Sequence, residues 1–130
     1  MSPARKVAST SPYANEIGFS AAVRAGGWVL VAGTTAVDAQ GEVVGGENAY
    51  EQTREALRKI GAALEDSGAR LDQVVQTRMY LTDVSHWEEV GRAHGEVFGE
   101  VRPAATMIGV AALLDPRMLV EIEATAWTGE

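Results

Sequence analysis

The clearest periodicity in the chain lies near its end. Met118, Val120, Ile122, Ala124 and Ala126 form one apolar row, while Leu119, Glu121, Glu123, Thr125 and Trp127 form a second that mixes charge with apolar bulk. A period of two marks a strand with unlike faces. Residues 104–111 predict the strand before it, with Ala105, Met107, Gly109 and Ala111 on one face and Ala104, Thr106, Ile108 and Val110 on the other. A turn around Asp115-Pro116 separates the two. Upstream, residues 74–82 predict a strand that puts Val75, Thr77, Met79 and Leu81 on one face. Residues 19–24 predict a first strand, stopped by Gly26-Gly27. The run Trp28-Val29-Leu30-Val31-Ala32, ending at Gly33, has the pattern of a strand buried on both faces. Asp38-Ala39-Gln40-Gly41 is turn chemistry leading into a short strand at 42–44.

Between these strands the spacing changes to that of a helix. Ala49, Thr53, Ala56, Leu57, Ile60 and Leu64 fall on one helical face, with Arg54, Glu55, Arg58 and Lys59 elsewhere. Asn48 with Glu51 predicts a capping box, and Gly68 stands where a left-handed cap belongs. Ser85 with Glu88 predicts a second capping box, opening a helix whose apolar stripe is Trp87, Val90, His94, Val97 and Phe98. Pro103 blocks its continuation. Residues 1–15, rich in Ser, Pro and Ala, predict an arm with little structure of its own.

The predicted order is β-β-β-α-β-α-β-β, an α+β single domain over residues 1–130. Two helices cover only one face of such a sheet. The rows left over are too apolar for open solvent, so the uncovered face is expected to be buried in an obligate oligomer.

Composition narrows the functions without choosing one. The 130 residues are 46% hydrophobic and 22% charged, with a net charge of −7. This balance works against binding nucleic acid, whose phosphates it repels. With no cysteine, thiol nucleophiles and thiolate metal sites are excluded, and His86 and His94 fit no metal-ligand spacing. No apolar run approaches the roughly 20 residues that span a bilayer. The polar start of the chain lacks a hydrophobic signal core, which makes a cytoplasmic location the expectation.

Four features taken together carry a resemblance: the element order, Gly33 closing the second strand, Arg102-Pro103-Ala104, and Val120-Glu121-Ile122-Glu123-Ala124. Over residues 17–127 the chain resembles the Rid family, the reactive intermediate deaminases, also called YjgF-like or L-PSP-like. The resemblance implies a chorismate-mutase-like fold, with a six-stranded mixed sheet and two helices on one face. It implies a homotrimer around a central barrel, with a small-molecule pocket at each subunit interface and no cofactor. The implied reaction is hydrolysis of enamines or imines. In active members an arginine after the Pro-Ala pair grips the substrate carboxylate, a glutamate on the last strand positions water, and an aromatic residue after a glycine closes the pocket.

Carried over residue by residue, Glu121 takes the glutamate's place and Phe19, after Gly18, the place of a usual tyrosine. Ala32 replaces a serine beside Gly33, Gly91 an asparagine, and Ala105 the arginine, next to Thr106. Losing the guanidinium removes a charge-assisted anchor worth roughly 1.5–3 kcal/mol. Arg78, on the row expected to face the subunit interface, is a candidate replacement cation; pairing with Glu121 or Glu123 is its structural alternative. Arg102 is a second candidate, and His94 reads as a hydrogen-bonded core residue. Three functions follow: a Rid-like hydrolase with Glu121 activating water, on the family's intermediates or on another in a specialised pathway; a non-catalytic small-molecule-binding trimer; or a ribonuclease, as attached to some relatives. The acidic balance and the lack of a nucleophile–histidine arrangement count against the last.

Overall fold

The computed structural model describes residues 4–129. In chain order the elements are β1 (Arg5–Val7), α1 (Ala14–Ile17), β2 (Ala22–Ala25), β3 (Trp28–Thr34), α2 (Ala49–Asp66), β4 (Val74–Leu81), α3 (Trp87–Phe98), β5 (Ala104–Gly109) and β6 (Val120–Trp127). They form one six-stranded sheet ordered β1-β2-β3-β6-β4-β5. Every neighbouring pair is antiparallel except β4 and β5. The last strand therefore sits inside the sheet, between β3 and β4. It has ladder partners on both sides, and each of its two rows belongs to a continuous sheet face.

One of those faces makes the core. Val120, Ile122, Ala124 and Ala126 of β6, Val29 and Val31 of β3, and Met79 and Leu81 of β4 are all buried. They pack with Ala56, Leu57, Ile60 and Leu64 of α2 and with Val90 and Phe98 of α3. Each fully buried Leu, Ile or Phe there contributes about 1.5–3 kcal/mol, the largest single favourable term in the fold. Asn48 caps α2 by accepting from the Glu51 N–H at 2.9 Å. Gly68, at φ 79°, turns the chain out of α2.

The opposite face stays open in the isolated chain. Trp28, Leu30 and Trp127 are 46%, 52% and 39% exposed, and the two indoles touch with centroids 4.7 Å apart. The run 28–32 is thus buried on one face only, because the helices occupy the other side. Among the described residues no helix is long and apolar enough to cross a membrane.

Several expectations need correction. The predicted arm, of which residues 1–3 lie outside the described residues, instead supplies β1, which pairs with β2, and the short helix α1. A third helix therefore precedes the two predicted. The first predicted strand starts later, at Ala22, and residues 42–44 contribute only an isolated bridge from Val43 to Val37. In β4 a bulge between Val74 and Gln76 shifts the register, burying Val74 and exposing Val75. Cap chemistry before α3 belongs to Asp83, whose carboxylate accepts from the Ser85 N–H and Oγ. Trp87 points outward, and the buried positions of α3 are Val90, Ala93 and Phe98.

Candidate functional site

The site begins with a second bulge. Val31 of β3 lies opposite Ala124, while Thr34 lies opposite Ile122, so β3 spends one more residue than β6 across this interval. The extra length falls at Ala32-Gly33, where Thr34 Oγ1 donates to the Ala32 carbonyl at 2.7 Å. Bulges re-aim side chains and recur beside active sites. Here the bulge brings Gly33 under the side chain of Glu121. A Cβ at residue 33 would lie 2.1 Å from Glu121 Oε2 and 3.0 Å from its Cδ. Glycine leaves room for the carboxylate in this position, and any side chain at residue 33 would push it aside.

Glu121 is half-buried, and no described residue hydrogen-bonds its carboxylate. Burial, and secondarily the charge of Glu123, raise its pKa above the ordinary carboxylate value. The carboxyl opens on a cleft of about 240 Å³ lined by Ser11, Tyr13, Ile17, Phe19, Ala32, Gly33, Thr35, Leu114, Met118 and Glu121. Two aromatic rings and several aliphatic groups thus face one acid.

Local sequence explains how each wall is held. Ser11 Oγ accepts from the Tyr13 N–H at 3.2 Å, starting α1. Gly18, at φ 88°, ends α1 after one turn and releases Phe19 toward the cleft. The Leu114 and Met118 wall belongs to a loop pinned by Arg117, which forks onto Asp115 at 2.8 and 3.0 Å. That pairing holds the Asp115 carboxyl down at about 2. Gln52, fully buried on α2, secures the other end of the loop: it donates to the Arg117 carbonyl at 2.9 Å and accepts from the Leu119 N–H at 2.9 Å.

A second cleft, of about 250 Å³, lies against the same stretch of β3 and shares Ser11, Phe19, Ala32, Gly33 and Thr35 with the first. Its Lys59 donates to the Thr35 and Val37 carbonyls, both at 2.8 Å. Burial pulls that amine's pKa down.

Of the candidates from the sequence, the fold brings together Glu121, Phe19, Ala32 and Gly33. It keeps the others out of the cleft of a single chain. Arg78 lies 3.5 Å from Glu123, whose carboxylate also accepts from the Tyr80 hydroxyl. Ala105 and Thr106 are exposed on the edge strand β5, paired with Thr77 and Arg78. Gly91 lies on α3, in the helix layer. Arg102 donates to the Gly99 carbonyl at 3.0 Å. His94 is hydrogen-bonded to Thr77 Oγ1 at 2.9 Å, and burial lowers its pKa. Among the described residues no cluster of His, Cys, Asp or Glu could hold a metal ion.

Sequence reasoning missed Ser11, Tyr13, Ile17, Leu114 and Met118 as cleft residues. The run Ser9-Thr10-Ser11-Pro12 carried a signal, since hydroxyl side chains next to proline favour ordered turns over a loose arm. Leu114 carried none, because it belongs to no periodic segment.

Comparison with known proteins gives this geometry a family context. The family model described as Endoribonuclease L-PSP matches residues 9–128. A RutC family protein of Pyrococcus abyssi is 35% identical over 127 residues, covering 95% of this chain and 98% of that protein. The crystal structure of a Mycobacterium tuberculosis member of the highly conserved YjgF/YER057c/UK114 family is similar with a TM-score of 0.87, at 46% identity, covering 96% of this chain and 99% of that one. A Yersinia pestis protein of the conserved Rid family has a TM-score of 0.85 at 25% identity, covering 96% and 99%.

Proposed function

Since the chain belongs to the L-PSP family, the YjgF-like or Rid proteins, we propose that it hydrolyses a small enamine- or imine-type intermediate, with Glu121 positioning and activating water. The observation that carries this reading is the half-buried Glu121 carboxylate, seated over Gly33 and facing an apolar, aromatic-walled cleft without an ion-pair partner.

The chemistry follows from that placement. An enamine first takes a proton at carbon and gives one up from nitrogen, becoming an imine. The ionised Glu121 accepts a proton from water as the water oxygen bonds to the imine carbon, and the C=N π pair moves onto nitrogen. Glu121 then returns the proton to that nitrogen. The hydroxyl proton of the tetrahedral carbinolamine then passes to nitrogen, and ammonia leaves as the carbonyl forms. A carboxylate of raised pKa suits both steps, because its proton affinity lies nearer the working pH. The aromatic walls limit competing water.

The uncovered sheet face supports a homotrimer in which this face is buried and each cleft is completed at a subunit seam. Ala105 and Thr106, on the edge strand, then lie at the seam, where a neighbouring copy can bring them to the cleft, while Arg78 stays paired with Glu123 on the barrel face. Incubation with freshly generated 2-iminobutyrate and an amine-derived imine, with ammonia timed against buffer, tests the activity. Glu121→Gln is expected to lose about 100-fold or more in rate. An unaltered rate in that variant, or no acceleration by the wild type, overturns the reading.

A second reading is a non-catalytic trimer that binds a small molecule in the same cleft. It is favoured by the polar groups missing at Phe19, Ala32, Gly91 and Ala105 relative to the active members. A Glu121→Gln variant that keeps full ligand affinity and full cellular effect would support it. Nuclease action draws no support from the site: neither histidine lines the cleft, and His94 is committed to Thr77.

A further inference from the structure

Lys59, Arg58, Arg117 and Arg78 stand on elements around the Glu121 cleft, and each is committed elsewhere. Lys59, which lines the adjoining cleft, is spent on the Thr35 and Val37 carbonyls. Arg58 forks onto Glu55 at 2.8 and 2.6 Å. Arg117 forks onto Asp115 and also donates to the Gly41 carbonyl at 2.8 Å. Arg78 faces Glu123 on the open sheet face. The cleft itself is lined by rings, aliphatic groups, two hydroxyl side chains of Ser and Thr, and one acid.

The consequence for a ligand is electrostatic. A substrate carboxylate entering this space gives up hydration against Ile17, Phe19 and Leu114, finds no cation among the described residues that line it, and stands near an acid of the same sign. Both effects oppose binding. A neutral imine escapes both. A protonated iminium also pays for desolvation but recovers it against the ionised Glu121. We propose that the cleft selects C=N compounds that carry no carboxylate, namely imines of simple amines and their iminium forms, over imines of amino acids. The proposal rests on reading the Glu121 cleft as the substrate pocket.

Two sets of probes separate this selectivity from the hydrolysis itself. Calorimetric titration with benzamidinium, benzamide and benzoate compares a planar cation, a neutral amide and an anion of nearly one shape. Benzamidinium is expected to bind at least about tenfold more tightly than benzoate, with most of that margin lost in Glu121→Gln. For turnover, an amine oxidase acting on benzylamine and an amino-acid oxidase acting on phenylalanine generate the two imine classes, with catalase present. The amine-derived imine is expected to show a kcat/KM at least about tenfold higher than the imino acid. Leu114→Arg, at an exposed cleft-wall position, is expected to raise the rate on the imino acid. Benzoate binding as tightly as benzamidinium, or an imino acid turned over as well as the amine-derived imine, overturns the selectivity; in the second case hydrolysis stands. A benzamidinium preference with neither imine turned over upholds the selectivity and overturns hydrolysis.

Discussion

Gly33 and Glu121 share one small volume, and that sharing sets the expected behaviour of both residues. A methyl at residue 33 would overlap the carboxylate oxygen, but the glutamate side chain is flexible and the φ of Gly33 lies outside the left-handed region. Gly33→Ala should therefore fold with a stability loss below about 1 kcal/mol, while the carboxylate swings out of position and the rate falls at least about tenfold. Circular dichroism melting paired with steady-state kinetics checks both halves. The raised pKa of Glu121 has two further consequences. As a base it works only when ionised, so the acid limb of kcat/KM should lie above the ordinary carboxylate range. Glu123→Gln should move that limb downward, since Glu123 is the secondary cause of the shift. For stability the sign is opposite to that of a salt-bridged acid. The folded chain holds the Glu121 proton more tightly than the unfolded chain. Its stabilising contribution is complete below the unfolded pKa and is lost as pH rises through the folded one. Glu121→Gln should consequently raise Tm at about pH 7.5, with the difference fading near about pH 4. An unchanged gap across that window would show that burial does not penalise the charge.

At the scale of elements, the cleft depends on segments that are neither helix nor strand. The loop carrying Leu114 and Met118 is held to α2 by Gln52, which donates to the Gly46 and Arg117 carbonyls and accepts from the Leu119 N–H. Gln52→Leu keeps the approximate volume but leaves these buried backbone groups unpaired, at a cost of about 2–4 kcal/mol. Urea unfolding should show the lower midpoint, and KM should rise as the cleft wall loosens. Much of this level was legible in advance. The α2 face, its Asn48 cap and the buried row of β6 follow from local periodicity and cap chemistry, which need only neighbours in sequence. The bulges at Ala32-Gly33 and Val74–Gln76 were not legible, because a bulge is a mismatch between two strands and neither strand encodes it alone.

For the whole molecule, the decisive feature is a sheet with helices on one side. Trp28, Leu30 and Trp127 remain exposed on the other, an apolar surface of the kind expected of the proposed subunit contact. Leu30→Glu should leave the core intact, because Leu30 is half exposed on the open face, yet convert the proposed trimer into a species near the 13.8 kDa monomer mass. Sedimentation velocity reads this directly, and imine hydrolysis should fall with the oligomer. A wild-type protein that sediments as a monomer would remove the subunit seam from the functional reading.

The candidate site divides along the same physical line. The sequence by itself determined that Glu121 stands on a two-faced strand, that Gly33 follows the apolar run of another, and that an aromatic residue follows Gly18. These are properties of alternation, of a missing side chain and of turn chemistry, each written in a few adjacent residues. Only the tertiary structure decided that the last strand inserts between β3 and β4, which puts Glu121 beside Gly33 although 88 positions separate their numbers. It likewise decided that Arg78 pairs with Glu123 and that α1 supplies a cleft wall. Ladder pairing and desolvation act between residues distant in sequence, so their outcome depends on which surfaces meet and not on any local pattern.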